Sequence, residues 1–286
     1  MYFKHVIKNK GTFVMNEDWD YLIILDACRY DMFKKVNYLD GKLEYRISRG
    51  SCTNEFLNEN FKNKKFPSII YITGNPLVNY HIPDSFAKIV PVWRDGWNEE
   101  IGTVLPSTML DYTLEINKKF PYKRLIIHFV QPHYPFIGKV AQKTIGKHEG
   151  ILSRNMLFGE SDVKHGKQMV WNLIKQGKID KKTAWEAYEE NLYVVLQYVE
   201  QLVRKLEGKI VISSDHGNLF GERIMPLFIK KYGHPCSIYV ENLLKVPWFI
   251  IEKGTRKKTI GSKMEETAKD TDVEMIKDRL RGLGYY

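Results

Sequence analysis

Five short stretches, residues 21–25, 68–72, 125–130, 209–213 and 246–251, are apolar on both faces rather than at alternate positions. Strands buried on both sides carry such runs, so the pattern predicts a largely parallel sheet covered by helices. Between them the period becomes helical. Trp185, Tyr188, Leu192, Val195, Leu196, Val199 and Leu202 follow i, i+3/i+4 spacing over residues 185–206, with Glu186, Glu189, Glu190, Gln197, Glu200 and Arg204 on the wet face. Further helices are predicted over residues 107–120, capped by Ser107 and stopped by Pro121, and over residues 272–283, ended by Gly284. Strands alternating with helices imply an α/β sandwich, read as one domain over residues 1–286 with no internal repeat.

Residues 139–182 break the pattern. They hold ten Lys/Arg against four Asp/Glu, a balance of 10 − 4 = +6, and carry no strong strand signal. They read as a basic helical insertion forming a lid over the sheet edge, or as a solvated excursion. Over the whole chain, 44 Lys+Arg and 34 Asp+Glu give a net charge of +10. That surplus implies an anionic partner: a phosphate ester, nucleic acid or a membrane surface. Nucleic acid is disfavoured, because the basic residues are scattered and not interleaved with aromatic ones.

A composition of 43% hydrophobic and 27% charged residues over 286 positions excludes disorder. No apolar run approaches the roughly 20 residues that span a bilayer, and residues 1–10 lack a hydrophobic signal core. The three cysteines, Cys28, Cys52 and Cys236, cannot all pair and form no CxxC. Reduced thiols and a cytoplasmic location are therefore expected. The oligomeric state is left open.

The residues that follow the strands carry the chemistry, since ligands of open α/β sheets collect at the carboxyl ends of strands. Asp26-Ala-Cys-Arg29-Tyr-Asp31 follows the first strand, and Ser214-Asp215-His216-Gly217-Asn218 follows the fourth. His128-Phe-Val-Gln131-Pro-His133-Tyr-Pro135 closes the third. Two Asp and one His at converging strand ends suit a divalent cation such as Mn²⁺, Zn²⁺ or Mg²⁺. Taken singly, Asp26 reads equally well as a helix cap, and Asp-His-Gly as an ordinary turn.

Leu25-Asp26-Ala-Cys-Arg-Tyr-Asp31 resembles the first metal motif of the alkaline phosphatase superfamily, in its sulfatase-like branch, which includes phosphonate monoester hydrolases and lipoteichoic acid synthase. Ser214 to Asn218, with Gly221-Glu222, resembles the branch's second metal motif. Tyr232-Gly-His234-Pro235 and Val246-Pro247 resemble the segment after it, and Leu283-Gly-Tyr285 a sulfatase-like ending. The resemblance covers nearly the whole chain. It implies a three-layer sandwich and a nucleophile at a helix N-terminus, within residues 48–56.

Sulfatases convert a Cys or Ser there to formylglycine within Cys-x-Pro/Ala-x-Arg, and neither Cys52 nor Ser51 has that context. An unmodified hydroxyl is implied instead: Thr53 first, because Thr53-Asn-Glu-Phe56 resembles the lipoteichoic acid synthase segment, and Ser51 second. Both also read as mere caps of a helix running through Phe61. Gln131 stands where two-metal members carry an Asp. The resemblance thus implies one cation on Asp26, Thr53, Asp215 and His216, with His133 and Asn218 binding substrate and His234 binding the ester or protonating the leaving group. If Gln131 does not occupy that Asp position, His133 and His234 become ligands of a second cation instead. Arg29 contacts the anion or pairs with Asp31 or Glu17, and His128 is a satisfied core histidine.

The expected function is metal-dependent hydrolysis or transfer of phosphoric esters, diesters or substituted monoesters, by double displacement. The alternatives are a sulfuric ester hydrolase and a non-catalytic anion-binding protein on a degenerate phosphatase fold.

Overall fold

The computed structural model describes residues 9–145, 170–224 and 229–260. The helix expected over residues 272–283, the Tyr285 ending and most of the proposed lid, including Lys164 and Lys167, lie outside them.

A seven-stranded sheet forms the centre. Its strands are β1 (Tyr21–Leu25), β2 (Lys42–Ile47), β3 (Phe66–Thr73), β4 (Phe86–Pro91), β7 (Arg124–Phe129), β8 (Gly208–Ser213) and β11 (Lys245–Lys253). They lie in the order β2-β11-β8-β1-β7-β3-β4. The sheet is parallel except at β11, which runs antiparallel to both neighbours. Two small hairpins sit outside it: β5 (Trp97–Asn98) with β6 (Thr103–Val104), and β9 (Leu219–Ile224) with β10 (Ile229–Gly233).

Helices flank the sheet. The longest is α8 (Lys181–Lys205), which lies against α1 (Tyr30–Val36) and α5 (Pro106–Lys119), and it buries the stripe its period predicts, Tyr188, Leu192, Val195, Leu196, Val199 and Leu202. Asp180 caps it by accepting from the Thr183 N–H at 2.9 Å. The cap of α5 differs from expectation. Leu105 occupies the N-cap and Pro106 the first turn, where a missing N–H costs nothing, so Ser107 is inside the helix. A second pair, α2 (Thr53–Phe61) and α3 (Leu77–His81), pack on each other. Phe61 of α2 stacks edge-on against Tyr71 and Phe86. The remaining helices are short: α4 (Val92–Asp95), α6 (Lys139–Thr144), α7 (Val170–Lys175) and α9 (Glu241–Leu244).

β1, β7 and β8 run in register, with Ile24 opposite His128 and Ser213. The segments that leave these strands therefore emerge side by side, and that edge carries the candidate chemistry.

Candidate active site

Asp26, Asp215 and His216 meet at this edge, all buried. The turn after β1 places Ala27 in the left-handed region at φ 57°. Its N–H donates to Asp215 Oδ1 at 3.0 Å, and the same oxygen accepts from the His216 N–H at 2.9 Å. Ser48 Oγ donates to the Asp215 carbonyl, and Ser214 Oγ accepts from the Cys28 N–H at 2.8 Å. A dense backbone network thus holds the two strand-end turns together.

Thr53 is the first residue of α2, where four N–H groups lack partners within the helix. Its hydroxyl donates to Asp215 Oδ2 at 2.8 Å and lies 3.2 Å from His216 Nε2. His216 Nε2 is 3.3 Å from Asp215 Oδ2 and 3.8 Å from Asp26 Oδ1. The four residues expected to hold a cation therefore converge.

His133 and His234 complete the group. Their Nε2 atoms are 2.8 Å apart, a contact that requires a proton on one and a lone pair on the other. The His234 ring lies 4.5 Å from that of His216. Burial, reinforced by the neighbouring His216 and His133, pushes His234 well below the usual imidazole range. Asn191 of α8 positions the His133 loop by donating to the carbonyls of Pro132 and His133 at 2.9 and 3.1 Å.

These groups fit a divalent cation. Asp26 Oδ1 and His128 Nε2 are buried with no hydrogen-bond partner among the described residues. A buried carboxylate oxygen in that state is costly unless something else compensates it. Asp26, His128 and Asp215 present ligand atoms within 4.8 Å of one another. No Lys or Arg among the described residues pairs with Asp26 or Asp215. Burial alone would raise the Asp26 pKa, but His133, His128 and His216 outweigh it and hold the carboxyl below the usual range. Carboxylate, imidazole and hydroxyl donors together suit Zn²⁺ or Mn²⁺.

Other expectations are corrected. His128 is buried but not satisfied: Nδ1 meets the Tyr71 hydroxyl at 2.9 Å while Nε2 faces Asp26 Oδ2 at 3.6 Å. Arg29 lies in a separate depression, outside the cleft lining. Its guanidinium pairs with Asp31, one of the expected alternatives, and with Glu222, each at 2.6 Å, and it stacks on Trp185, so no anion is needed to satisfy it. Glu17 pairs with Arg46 instead. The Ser51 hydroxyl donates to Glu55 Oε2 at 2.9 Å and to the Pro235 carbonyl at 3.2 Å, which turns it to loop pinning rather than to Asp26 or Asp215. Asn218 is buried with its side-chain amide unpartnered among the described residues, and it too is absent from the cleft lining. Gln131 has its amide taken by the β5–β6 hairpin, where it donates to the Val104 carbonyl at 3.1 Å.

The cysteines differ as well. Cys52 and Cys236 form a disulfide, and only Cys28 is free. The expectation of reduced thiols rested on an odd count, which does not prevent one pair from meeting across 184 residues. The ground for a cytoplasmic location goes with it.

One site residue escaped sequence reasoning entirely. Asn75, in the loop after β3, donates to Asp26 Oδ2 at 2.8 Å and is itself held by Thr73 Oγ1.

No protein-family model matches the chain, and no curated protein sequence matches it. Solved structures do. An integral membrane lipooligosaccharide phosphoethanolamine transferase A from Neisseria meningitidis superposes with a TM-score of 0.52 at 15% identity, over 80% of this chain and 47% of that one. The soluble domain of the same transferase gives 0.50 at 16% identity, over 80% and 75%. The chain thus spans about half the length of the whole transferase. It shares its fold with these transferase structures. Among the described residues no helix is long and apolar enough to cross a membrane.

Proposed function

We propose that the chain is a metal-dependent phosphoesterase or phosphotransferase that uses Thr53 as nucleophile. The carrying observation is that Thr53 Oγ1 donates to Asp215 Oδ2 at 2.8 Å, at the N-terminus of α2 and beside two buried carboxylates that pair with no Lys or Arg among the described residues. A divalent cation held by Asp26, Asp215, His216 and Thr53, with His128 beside them, would draw electron density from the threonine oxygen and from a phosphoryl group.

The chain's own groups supply the rest. Asp215 accepts the Thr53 proton as the oxygen attacks phosphorus and the threonine O–P bond forms. The open N–H groups of α2 face the charge on the equatorial oxygens. The ester O–P bond breaks opposite, and the proton shared by His133 and His234 passes to the departing oxygen. Water or an acceptor alcohol then displaces the phosphoryl group from Thr53. A formylglycine sulfatase is not supported, because Cys52 is held in a disulfide.

The test is turnover of bis-p-nitrophenyl phosphate, p-nitrophenyl phosphate and p-nitrophenyl sulfate with added Mn²⁺, Zn²⁺ or Mg²⁺. We expect the diester to be the better substrate and Thr53→Ala to lose more than about a hundredfold in kcat. Sulfate as the best substrate, or full activity in Thr53→Ala, contradicts the proposal.

A further inference from the structure

The cleft at Thr53 has two chemically different walls. Its lining holds Asp26, Thr53, His133 and His234 on the one hand and Leu77, Trp97, Val130 and Tyr134 on the other. Among the described residues, no Lys or Arg lines either wall.

Trp97 belongs to the β5–β6 hairpin, which is fixed rather than trailing. Trp97 pairs with Val104, and Asn98 Oδ1 accepts from the Ile101 N–H at 2.9 Å. Gly102 takes φ 75°, a conformation open to glycine at little cost. Gln131, fully buried, anchors the hairpin through Val104 to the loop that carries His133. The residue standing where a second-metal carboxylate was expected therefore positions an apolar surface. The Trp97 indole N–H is buried without a partner among the described residues.

We infer that this wall seats an uncharged apolar substituent, alkyl or aryl, on the ester. The site would then take phosphodiesters bearing such a group in preference to dianionic monoesters. The inference rests on the phosphoester reading above. A phosphorus bound at Thr53 holds its substituents within reach of Leu77 and Trp97, which reward apolar area and offer no charge to a second anionic oxygen.

Calorimetric titration with diphenyl phosphate and dimethyl phosphate, both monoanions, tests it on the metal-supplemented full chain. We expect diphenyl phosphate to bind at least about tenfold tighter, and that ratio to fall toward one in Trp97→Ala and in Leu77→Ala. Gln131→Ala, which only unpins the hairpin, should lower the same ratio part of the way. Leu77→Lys should instead shift turnover toward p-nitrophenyl phosphate relative to bis-p-nitrophenyl phosphate. Equal binding of the two phosphates by the unaltered chain overturns the inference and leaves the phosphoester reading standing. A tenfold binding preference with no turnover of any ester supports the apolar wall and overturns the phosphoester reading alone.

Discussion

Asp26 accepts from Asn75 at Oδ2, and among the described residues neither its Oδ1 nor His128 Nε2, which stands 3.6 Å from that Oδ2, has a hydrogen-bond partner. If a cation supplies what they lack, removing the imidazole should weaken its hold. His128→Ala is expected to lower Zn²⁺ or Mn²⁺ affinity about 10–100-fold by calorimetry; an unchanged Kd would place His128 outside the metal's reach. His81 gives a separate handle on stability. Burial, helped by Lys62, lowers its pKa from 6.5 to about 4. The unfolded chain then binds the extra proton first, so stability present above about pH 6.5 is lost as pH falls toward 4. His81→Gln should flatten that part of a urea-denaturation series by on the order of 2 kcal/mol, and an unaltered slope would contradict the assignment. Legibility divides along the same line. Asp26, Asp215 and His216 are visible in the sequence because polar residues abruptly follow apolar strands. Asn75 is not, because its role depends on a contact across 49 positions that no local pattern records. His128 is hidden for another reason: an imidazole inside an apolar strand looks like core until its second nitrogen is found facing a carboxylate.

At the level of elements, the loop before α2 and the loop carrying His234 are bolted together. The Cys52–Cys236 disulfide is joined by hydrogen bonds from Ser51 to Pro235 and from Ser237 to Glu55. Closing so long a loop is worth roughly 2–5 kcal/mol. Reduction should therefore lower Tm by several degrees, and Cys52→Ser/Cys236→Ser should show no further shift with reductant. A double variant that responds to reductant like the parent would contradict this. The buried strands β1, β3, β7, β8 and β11 were legible from their apolar runs, but the edge strands β4 and β2 were not. Strand β2 pairs with β11 on one side only, and its side chains are largely exposed, so Lys42, Glu44 and Arg46 mask it as loop. The direction of β11 was equally hidden, since an apolar run shows burial and not polarity of the chain.

Across the whole molecule, the sheet order brings the ends of β1, β7 and β8 together from positions up to 188 residues apart, as the Ala27 to Asp215 bond shows. The fold is shared with a phosphoethanolamine transferase at 15% identity, a level at which the architecture persists and substrate does not follow. The net charge of +10 does not reach the described cleft walls, which carry the Asp26 carboxylate, two imidazoles and apolar groups but no Lys or Arg. The central claim is that Thr53 makes the bond to phosphorus. It is tested most directly by reacting His133→Ala/His234→Ala protein with bis-p-nitrophenyl phosphate and a divalent cation, then mapping the adduct by peptide mass spectrometry. The account predicts a p-nitrophenyl phosphoryl group on Thr53 that is absent after Thr53→Ala. An adduct on Ser51, or undiminished turnover in Thr53→Ala with no adduct on residue 53, would contradict it.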